Sequence, residues 1–210
     1  MTEVVSIERD GPDVARRALE RCVEEGGVAV FPADTLYGLA CDPVNPEPVE
    51  RIHLLKGRDD GKPSAVMYFS PLAMRELVSG LGPRARQAVA ALLPGPVTLV
   101  VANPEHRYPL ACREDPGRLG VRLIEGPLAG AMTPIFQTSA NRSGEPPPSR
   151  LDEIDPAILE GADLAIDAGE VAGSPSTVVD ISGMDDGGGW QILRHGAMPE
   201  DEVARRLRRC

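Results

Sequence analysis

The stretch "LLKGRDDGKPSAVM" holds the only two lysines of the chain, Lys56 and Lys62, with Arg58 between them. Gly57 permits a backbone turn that can direct neighbouring cations at one point. Arginine presents a planar fork to phosphate oxygens, and lysine presents a compact charge. The stretch is therefore a candidate phosphate site. The alternative is a set of solvated charges beside a helix C-terminus, where positive charge is favourable.

A second polar stretch is "TSANRSG", from Thr138 to Gly144. Three hydroxyls, an amide and a guanidinium lie within these seven residues, directly after an apolar segment. Hydroxyls and exposed backbone N–H groups in such a turn can bind phosphate or ribose. Serine, asparagine and glycine also build turns for local reasons, so this stretch alone does not establish a site.

Three further places carry polar residues where a ligand pocket could open. Asp34, Thr35 and Tyr37 follow a buried strand in "FPADTLYGLA", and α/β proteins bind ligands at such strand ends. Arg122 in "GVRLI" and Arg194 in "ILRHG" lie inside apolar strands, where burying an arginine is costly unless it meets an anion. Ser176 and Thr177 open the apolar run "STVVDIS".

Composition limits the classes of function. The net charge of −10 disfavours a nonspecific nucleic-acid binder, and an aromatic content of 3% disfavours base stacking. The sequence has neither a P-loop nor a Rossmann phosphate turn. The four cysteines lack metal-ligand spacing, so no metal site is predicted. No stretch approaches the ~20 apolar residues of a membrane span, and we expect a cytoplasmic protein with reduced thiols.

Helical and strand patterns alternate along the chain, which predicts an α/β fold with a mixed twisted sheet. In "GPDVARRALERCVEEGG" the spacing places Val14, Ala18, Cys22 and Val23 on one helix face. Further predicted helices are "NPEPVERIHLLKG", "PLAMRELVSGL", "PRARQAVAALLPG" and "PEDEVARRLRR". Predicted strands are residues 28–31, which run into a polar turn, "SAVMYFS", "PVTLVVANP", "LGVRLI", "LAIDAG", "STVVDIS" and "WQILRHG". The stretch "PIFQTSANRSGEPPPSRLDEI" is predicted to be a strand, then a turn-rich loop and then the start of a helix. A polar stretch at 103–117 could close as a lid.

Seven of these stretches, in this order, resemble the YrdC-like family of threonylcarbamoyl-AMP synthases. They read "FPADTLYGL", "KGR", "PGPVTLVV", "LGVRLI", "SANRSG", "STVVD" and "ILRHG". The resemblance as a whole covers about residues 26 to 197. The resemblance implies a twisted open α/β sheet with flanking helices around a concave cavity. It also implies one YrdC-like domain over residues 1–210, of the short form, with a C-terminal helix at 199–209.

The resemblance further implies a reaction. L-threonine, bicarbonate and ATP would give threonylcarbamoyl-AMP and pyrophosphate, usually with Mg²⁺. A partner transferase complex would then move the threonylcarbamoyl group to an adenosine of tRNA. Such chemistry needs positioning and charge neutralisation rather than a protein nucleophile.

Motif positions also imply roles for individual residues. Catalytic roles fall on Lys56 and Arg58, and the threonine-binding residues would be Thr35, Arg122 and Ser176. The ATP-binding residues would be Lys56, Arg58, Lys62, Arg118, Ser139, Asn141 and Arg194.

Three positions depart from the family pattern. Met67 stands where longer relatives often carry histidine near threonine, Arg118 stands where threonine is frequent, and Pro146-Pro147-Pro148 follow the serine–glycine pair. Met67 leaves open a paralogue that forms a carbamoyl-adenylate with another amine. Direct binding of double-stranded RNA or tRNA is a second alternative, which the negative charge disfavours.

Overall fold

The computed structural model describes residues 1–57 and 63–208, and within these ranges ten strands form one sheet. The strands are β1 (Glu3–Ser6), β2 (Ala29–Pro32), β3 (Tyr37–Cys41), β4 (Ala65–Tyr68), β5 (Val97–Ala102), β6 (Arg118–Leu123), β7 (Ile135–Ser139), β8 (Leu164–Asp167), β9 (Thr177–Asp180) and β10 (Gln191–Arg194). The helices are α1 (Ile7–Asp10), α2 (Pro12–Glu24), α3 (Pro46–Leu55), α4 (Pro71–Ser79), α5 (Pro83–Leu92), α6 (Pro109–Cys112), α7 (Pro156–Gly161) and α8 (Glu200–Leu207).

Local sequence signals explain where most helices begin. A proline lies in the first turn of each helix from α2 to α7, where its missing N–H costs nothing. Asn45, Ser70 and Asp155 cap α3, α4 and α7, because each side chain accepts a hydrogen bond from a first-turn backbone N–H.

The strand order is β1-β8-β2-β3-β7-β4-β6-β5-β9-β10. Four neighbouring pairs are parallel and the other five are antiparallel, so the sheet is mixed. The predicted α/β fold with a mixed sheet is therefore confirmed.

The two faces of the sheet differ in what covers them. On one face, alternate strand residues such as Val66, Val121 and Leu99 form a large apolar core with α3, α4, α5 and α8. On the other face, α2 packs through Leu19 against β1, β8, β2 and β3, in a second apolar cluster that includes Phe31. Beyond β3 this second face continues into a cavity.

Some predicted details were wrong. Val14 is 40% exposed, because the buried face of α2 is centred on Ala15, Ala18, Leu19, Cys22 and Val23 and Val14 lies beyond its edge. β1 and β3 were not predicted as strands. β3 is fully buried between β2 and β7, so it lacks the polar alternation that would have marked it. β1 is a short edge strand whose partner β8 lies far along the chain.

Candidate functional site

A cavity of about 560 Å³ lies over the half of the sheet formed by β7, β4, β6, β5 and β9. Its walls are built from residues two apart along each strand, because successive strand side chains point to opposite faces. The sheet contributes Gln137 and Ser139 from β7, Ala65 from β4, Arg118, Gly120 and Arg122 from β6, Thr98 and Val100 from β5, and Val178 from β9. Thr35, Ser176 and Arg194 complete the polar part of the wall.

The floor of the cavity is made of small residues. Gly120 pairs with Ala65 on one side and Val100 on the other. A Cβ at Gly120 would make van der Waals contact with the Ser64 carbonyl oxygen, at 3.4 Å, and Gly120 has no side chain to project into the cavity that it lines. A ligand can therefore approach the sheet backbone closely at this point.

Arg122 is the most deeply buried cation of the wall, with 3% of its surface exposed. Its Nη2 donates to Asp34 Oδ1 at 2.5 Å and to Thr35 Oγ1 at 3.3 Å. Burial lowers the pKa of Arg122 and raises the pKa of Asp34, but a guanidinium stays charged at any physiological pH. Arg122 Nε is buried and has no hydrogen-bond partner among the described residues. The site therefore keeps an unused donor beside a neutralised ion pair.

Ser176 connects two other polar groups of the wall. Its hydroxyl lies 2.9 Å from Thr98 Oγ1, and it accepts a hydrogen bond from Arg194 Nη2 at 3.1 Å. The Ser176 carbonyl accepts a second hydrogen bond from Arg194 Nη2 at 2.8 Å. Desolvation lowers the pKa of Arg194, and within the described ranges no carboxylate pairs with it. Its charge is therefore available to an anionic ligand.

Arg118 is held differently from Arg194. It donates to Asp115 at 2.6 Å and to Asp180 at 2.9 Å, and the hydrogen bond to Asp115 is the main cause of its raised pKa. Because two carboxylates already neutralise Arg118, a phosphate would have to compete with them. Asp115, Glu114 and Cys112 line the same side of the cavity and belong to the polar stretch at 103–117.

Lys56 follows the last residue of α3 and is 4% exposed. Its Nζ donates to the carbonyl oxygens of Ser139 and, at 2.7 Å, Asn141. Its own carbonyl accepts from the N–H of Ser143 at 2.9 Å. Gly57 has a φ of 58°, which a glycine adopts without strain. Lys56 thus ties the end of α3 to the "SANRS" turn.

The structure brings together many of the predicted site residues. Thr35, Arg118, Arg122, Ser139, Ser176 and Arg194 line one cavity. Lys56 and Asn141 are not among the described residues that line the cavity. Lys56 instead supports the turn by donating to the carbonyls of Ser139 and Asn141. Asn141 Nδ2 donates to the carbonyls of Arg142 and Glu145. Arg58 and Lys62 lie outside the described residues.

Several contributors to the cavity wall were not identified from the sequence. Thr98, Gly120 and Gln137 face the cavity from β5, β6 and β7. The two-residue spacing of Thr98 and Val100, or of Gly120 and Arg122, would have placed each pair on one face. What the sequence could not supply is which face lacks a covering helix.

Met67 is not one of the described residues that line the cavity. It is fully buried in the α2-facing apolar cluster, and it pairs with Arg122 across β4 and β6. It therefore marks the border between the apolar part of this face and the cavity.

Two features are absent from residues 1–57 and 63–208, the described part of the chain. No group of three or more histidine, cysteine, aspartate or glutamate side chains there is arranged to hold a metal ion. No helix in those ranges has both the length and the apolar character that crossing a membrane requires.

An open mixed sheet with three arginines and several hydroxyls around one cavity defines an α/β protein suited to anionic small molecules. The Sua5/YciO/YrdC family model, described as "Telomere recombination", matches residues 21–196. The chain belongs to this family.

Relatives of named function agree with this membership. The chain is 32% identical to the threonylcarbamoyl-AMP synthase of Methylobacillus flagellatus over 174 residues, covering 79% of this chain and 94% of the relative. It is 30% identical to the enzyme of that name from Thiobacillus denitrificans over 175 residues, covering 80% and 92%.

A solved structure is also similar. The P. abyssi Sua5 crystal structure complexed with L-threonine superposes with a TM-score of 0.81 at 26% identity. The match covers 99% of this chain but only 61% of the Sua5 chain. This agreement confirms the predicted family and the fold.

Proposed function

We propose that this protein is a threonylcarbamoyl-AMP synthase, an enzyme that converts L-threonine, bicarbonate and ATP into threonylcarbamoyl-AMP and pyrophosphate. The observation that carries the proposal is the cavity, in which Arg122 lies at one side and Arg194 at another, with hydroxyls between them. Relatives named for this activity share up to about a third of their residues with the chain. We also take residues 1–210 as one domain.

The threonine end of the cavity would be built around Arg122. Its guanidinium is buried at the cavity wall, and a guanidinium suits the carboxylate of an amino acid. Thr35 and Ser176 are the hydroxyls available to the substrate's polar groups, and Ser176 is held in place by Thr98 and Arg194. This part of the wall therefore combines one charge with several hydrogen-bonding groups.

The ATP end would lie toward the "SANRSG" turn and the strand bearing Arg194. Ser139 faces the cavity, and Lys56 fixes the turn by binding the carbonyls of Ser139 and Asn141. Arg194 supplies positive charge at the cavity wall, whereas Arg118 is already paired with Asp115 and Asp180. Arg58 and Lys62 remain predicted phosphate ligands.

Charge neutralisation is the chemistry that these residues can perform. Attack of a carbamate oxygen on the α-phosphate develops negative charge on that phosphate and on the leaving pyrophosphate. Fixed cations in a partly desolvated cavity stabilise such charge without reorganising during the reaction. Mg²⁺ would arrive as part of the MgATP substrate, and the described residues provide no three-ligand cluster of their own for it.

The direct test is an assay of purified protein with ATP, Mg²⁺, bicarbonate and single amino acids, in which pyrophosphate and product mass are measured. Threonine-dependent pyrophosphate and the mass of threonylcarbamoyl-adenylate are the expected result. Pyrophosphate release with a different amine, or with no amine, would contradict the proposal and favour a paralogous carbamoyl-adenylate synthase.

A synthase of this kind would pass its product to a partner transferase complex that modifies tRNA. We therefore expect a cytoplasmic location, which cell fractionation with an antibody would test. Direct RNA binding has little support, because the net charge of −10 repels the negatively charged phosphates of the RNA backbone. Salt-dependent binding of tRNA or double-stranded RNA without ATP turnover would favour that alternative.

A further inference from the structure

Gln137 lies on the floor of the main cavity, in a row of residues that are paired across neighbouring strands. It belongs to β7 and pairs with Ala65 of β4, which pairs in turn with Gly120 of β6. All three residues line the cavity. Because alanine and glycine are too small to cover the longer side chain, Gln137 stays partly exposed.

The strand register places this row between the threonine end and the ATP end of the cavity. Two residues further along β4 and β6, Met67 pairs with Arg122. In the opposite direction, two residues further along the antiparallel β7, lies Ser139, which lines the proposed ATP end. Two residues of a strand span about 7 Å. A group that joins an amino acid at Arg122 to a phosphate near Ser139 would therefore lie over Gln137.

The carboxamide of Gln137 has space around it and unused hydrogen-bonding capacity. Its Nε2 lies 3.2 Å from the point that a Cβ on Gly38 of β3 would occupy, so the glycine leaves room for the amide. Within residues 1–57 and 63–208, neither Nε2 nor Oε1 makes a hydrogen bond to the protein. A ligand in the cavity can therefore use both the donor and the acceptor.

The amide is complementary to the carbamate of an amino acid. A carbamate has one N–H group and two oxygens, and one of these oxygens lies on the same side as the N–H. A primary amide presents a carbonyl oxygen and an N–H in the same arrangement, so the two groups can exchange two hydrogen bonds. The bond to the carbamate oxygen is charge-assisted. By contrast, phosphate oxygens offer only acceptors and an ammonium group offers only donors.

We propose that Gln137 binds the carbamate formed from the substrate amine and bicarbonate, and orients it for attack on ATP. This inference rests on the proposed function, because it requires a carbamate and ATP in one cavity. A neutral amine and bicarbonate give the carbamate and water. The carbamate oxygen that Gln137 leaves free then forms a bond to the α-phosphorus, while the bond from that phosphorus to its bridging oxygen breaks. Pyrophosphate leaves with the electron pair, and no proton is transferred in this second step.

The test compares Gln137→Met with Gln87→Met, a control on the exposed face of α5. Methionine has nearly the length of glutamine but no amide, so the shape is kept and the hydrogen bonds are lost. Pyrophosphate release is measured against bicarbonate concentration, with threonine and MgATP at saturation. Calorimetry gives the dissociation constants of threonine without bicarbonate and of ATP alone.

We expect kcat/KM for bicarbonate to fall by about tenfold to a hundredfold in Gln137→Met, since hydrogen bonds to charged groups contribute on that scale. The dissociation constants of threonine and ATP should stay within about twofold, because neither free substrate contains the carbamate. Gln87→Met should match the wild type in all three quantities. Gln137→Ala should show the same selective loss, and it decides the matter if Gln137→Met does not fold.

Two results would overturn this inference while leaving the proposed function intact. One is an unchanged kcat/KM for bicarbonate in a folded Gln137 variant. The other is an equal weakening of free threonine or free ATP, which would place Gln137 at one end of the cavity. If the wild type forms an adenylate with another amine, the proposed function fails and the same comparison with that amine decides the inference. Formation of no adenylate with any amine would overturn both.

Discussion

The two halves of one sheet face show the same alternation of strand side chains, but one half is packed against a helix and the other lines a cavity. Over β1, β8, β2 and β3 the outward side chains are apolar, such as Phe31 and Ile166, and α2 covers them. Over β7, β4, β6, β5 and β9 the positions that line the cavity include small, hydroxylated and cationic residues beside Gln137, Val100 and Val178. Strand geometry is shared, and the halves differ in their side chains and in the packing of α2 against the first half.

The border between the two halves crosses individual strands. In β4, Met67 belongs to the apolar cluster while Ala65, two residues earlier, lies on the cavity floor. In β7, Ile135 is in the apolar cluster and Gln137 is in the cavity wall. The comparison predicts that changes in the packed half alter stability, and changes in the cavity half alter activity.

The largest effect on activity is expected from Arg122→Gln. Removing the guanidinium takes away the buried cation of the cavity and leaves Asp34 without its partner. We expect kcat/KM for the amino acid to fall on the order of a hundredfold to a thousandfold. Arg75→Gln, on the exposed side of α4, is the control and should leave kcat/KM unchanged. Equal activity of the two variants would contradict the assignment of the cavity.

Leu19→Ala tests the packed half. Leu19 lies on the buried face of α2 and is 1% exposed, and truncating it would leave a void among Phe31 and its neighbours. We expect a loss of about 2–5 kcal/mol in the free energy of unfolding, measured by urea denaturation. Assayed below its unfolding transition, the variant should keep the kcat/KM of the wild type. A large loss of turnover in folded protein would show that the halves are not independent.

Met67→His tests the border between the packed half and the cavity half of the sheet face. Histidine is the residue that longer relatives often carry here, but Met67 is surrounded by apolar side chains. Burying an imidazole in that cluster should cost about 1–3 kcal/mol of stability, whereas the control Met67→Leu should cost less than about 1.5 kcal/mol. If Met67→His instead tightened threonine binding without loss of stability, position 67 would belong to the cavity half.

The smallest effects come from a pair of threonines on opposite faces. Thr98 bonds the Ser176 hydroxyl in the cavity wall, whereas Thr177 exchanges hydrogen bonds with the Met198 backbone in the core. Thr98→Val should raise KM by about twofold to tenfold with little change in melting temperature. Thr177→Val should lower stability by about 1–3 kcal/mol and leave KM unchanged. The reverse pattern would contradict the division of the sheet by face.

Much of this organisation could be predicted from the sequence, and what could not was non-local. Strands such as β5, β6 and β9 were predicted because their apolar runs end at glycine, proline or polar residues. β3 was missed because burial on both faces removes alternation. Asp34 was noted as polar, but its contact with Arg122 spans 88 positions of sequence and depends on the sheet order. Lys56 was predicted to meet phosphate, and its bonds to the "SANRS" turn depend equally on tertiary packing.

The most direct test is a crystal structure of the protein with L-threonine and a non-hydrolysable ATP analogue. The account predicts both ligands in the cavity over β6, with the threonine carboxylate within hydrogen-bond distance of Arg122 and the phosphates toward Arg194. Ligands bound elsewhere on the protein, or a threonine in the cavity that does not touch Arg122, would contradict it.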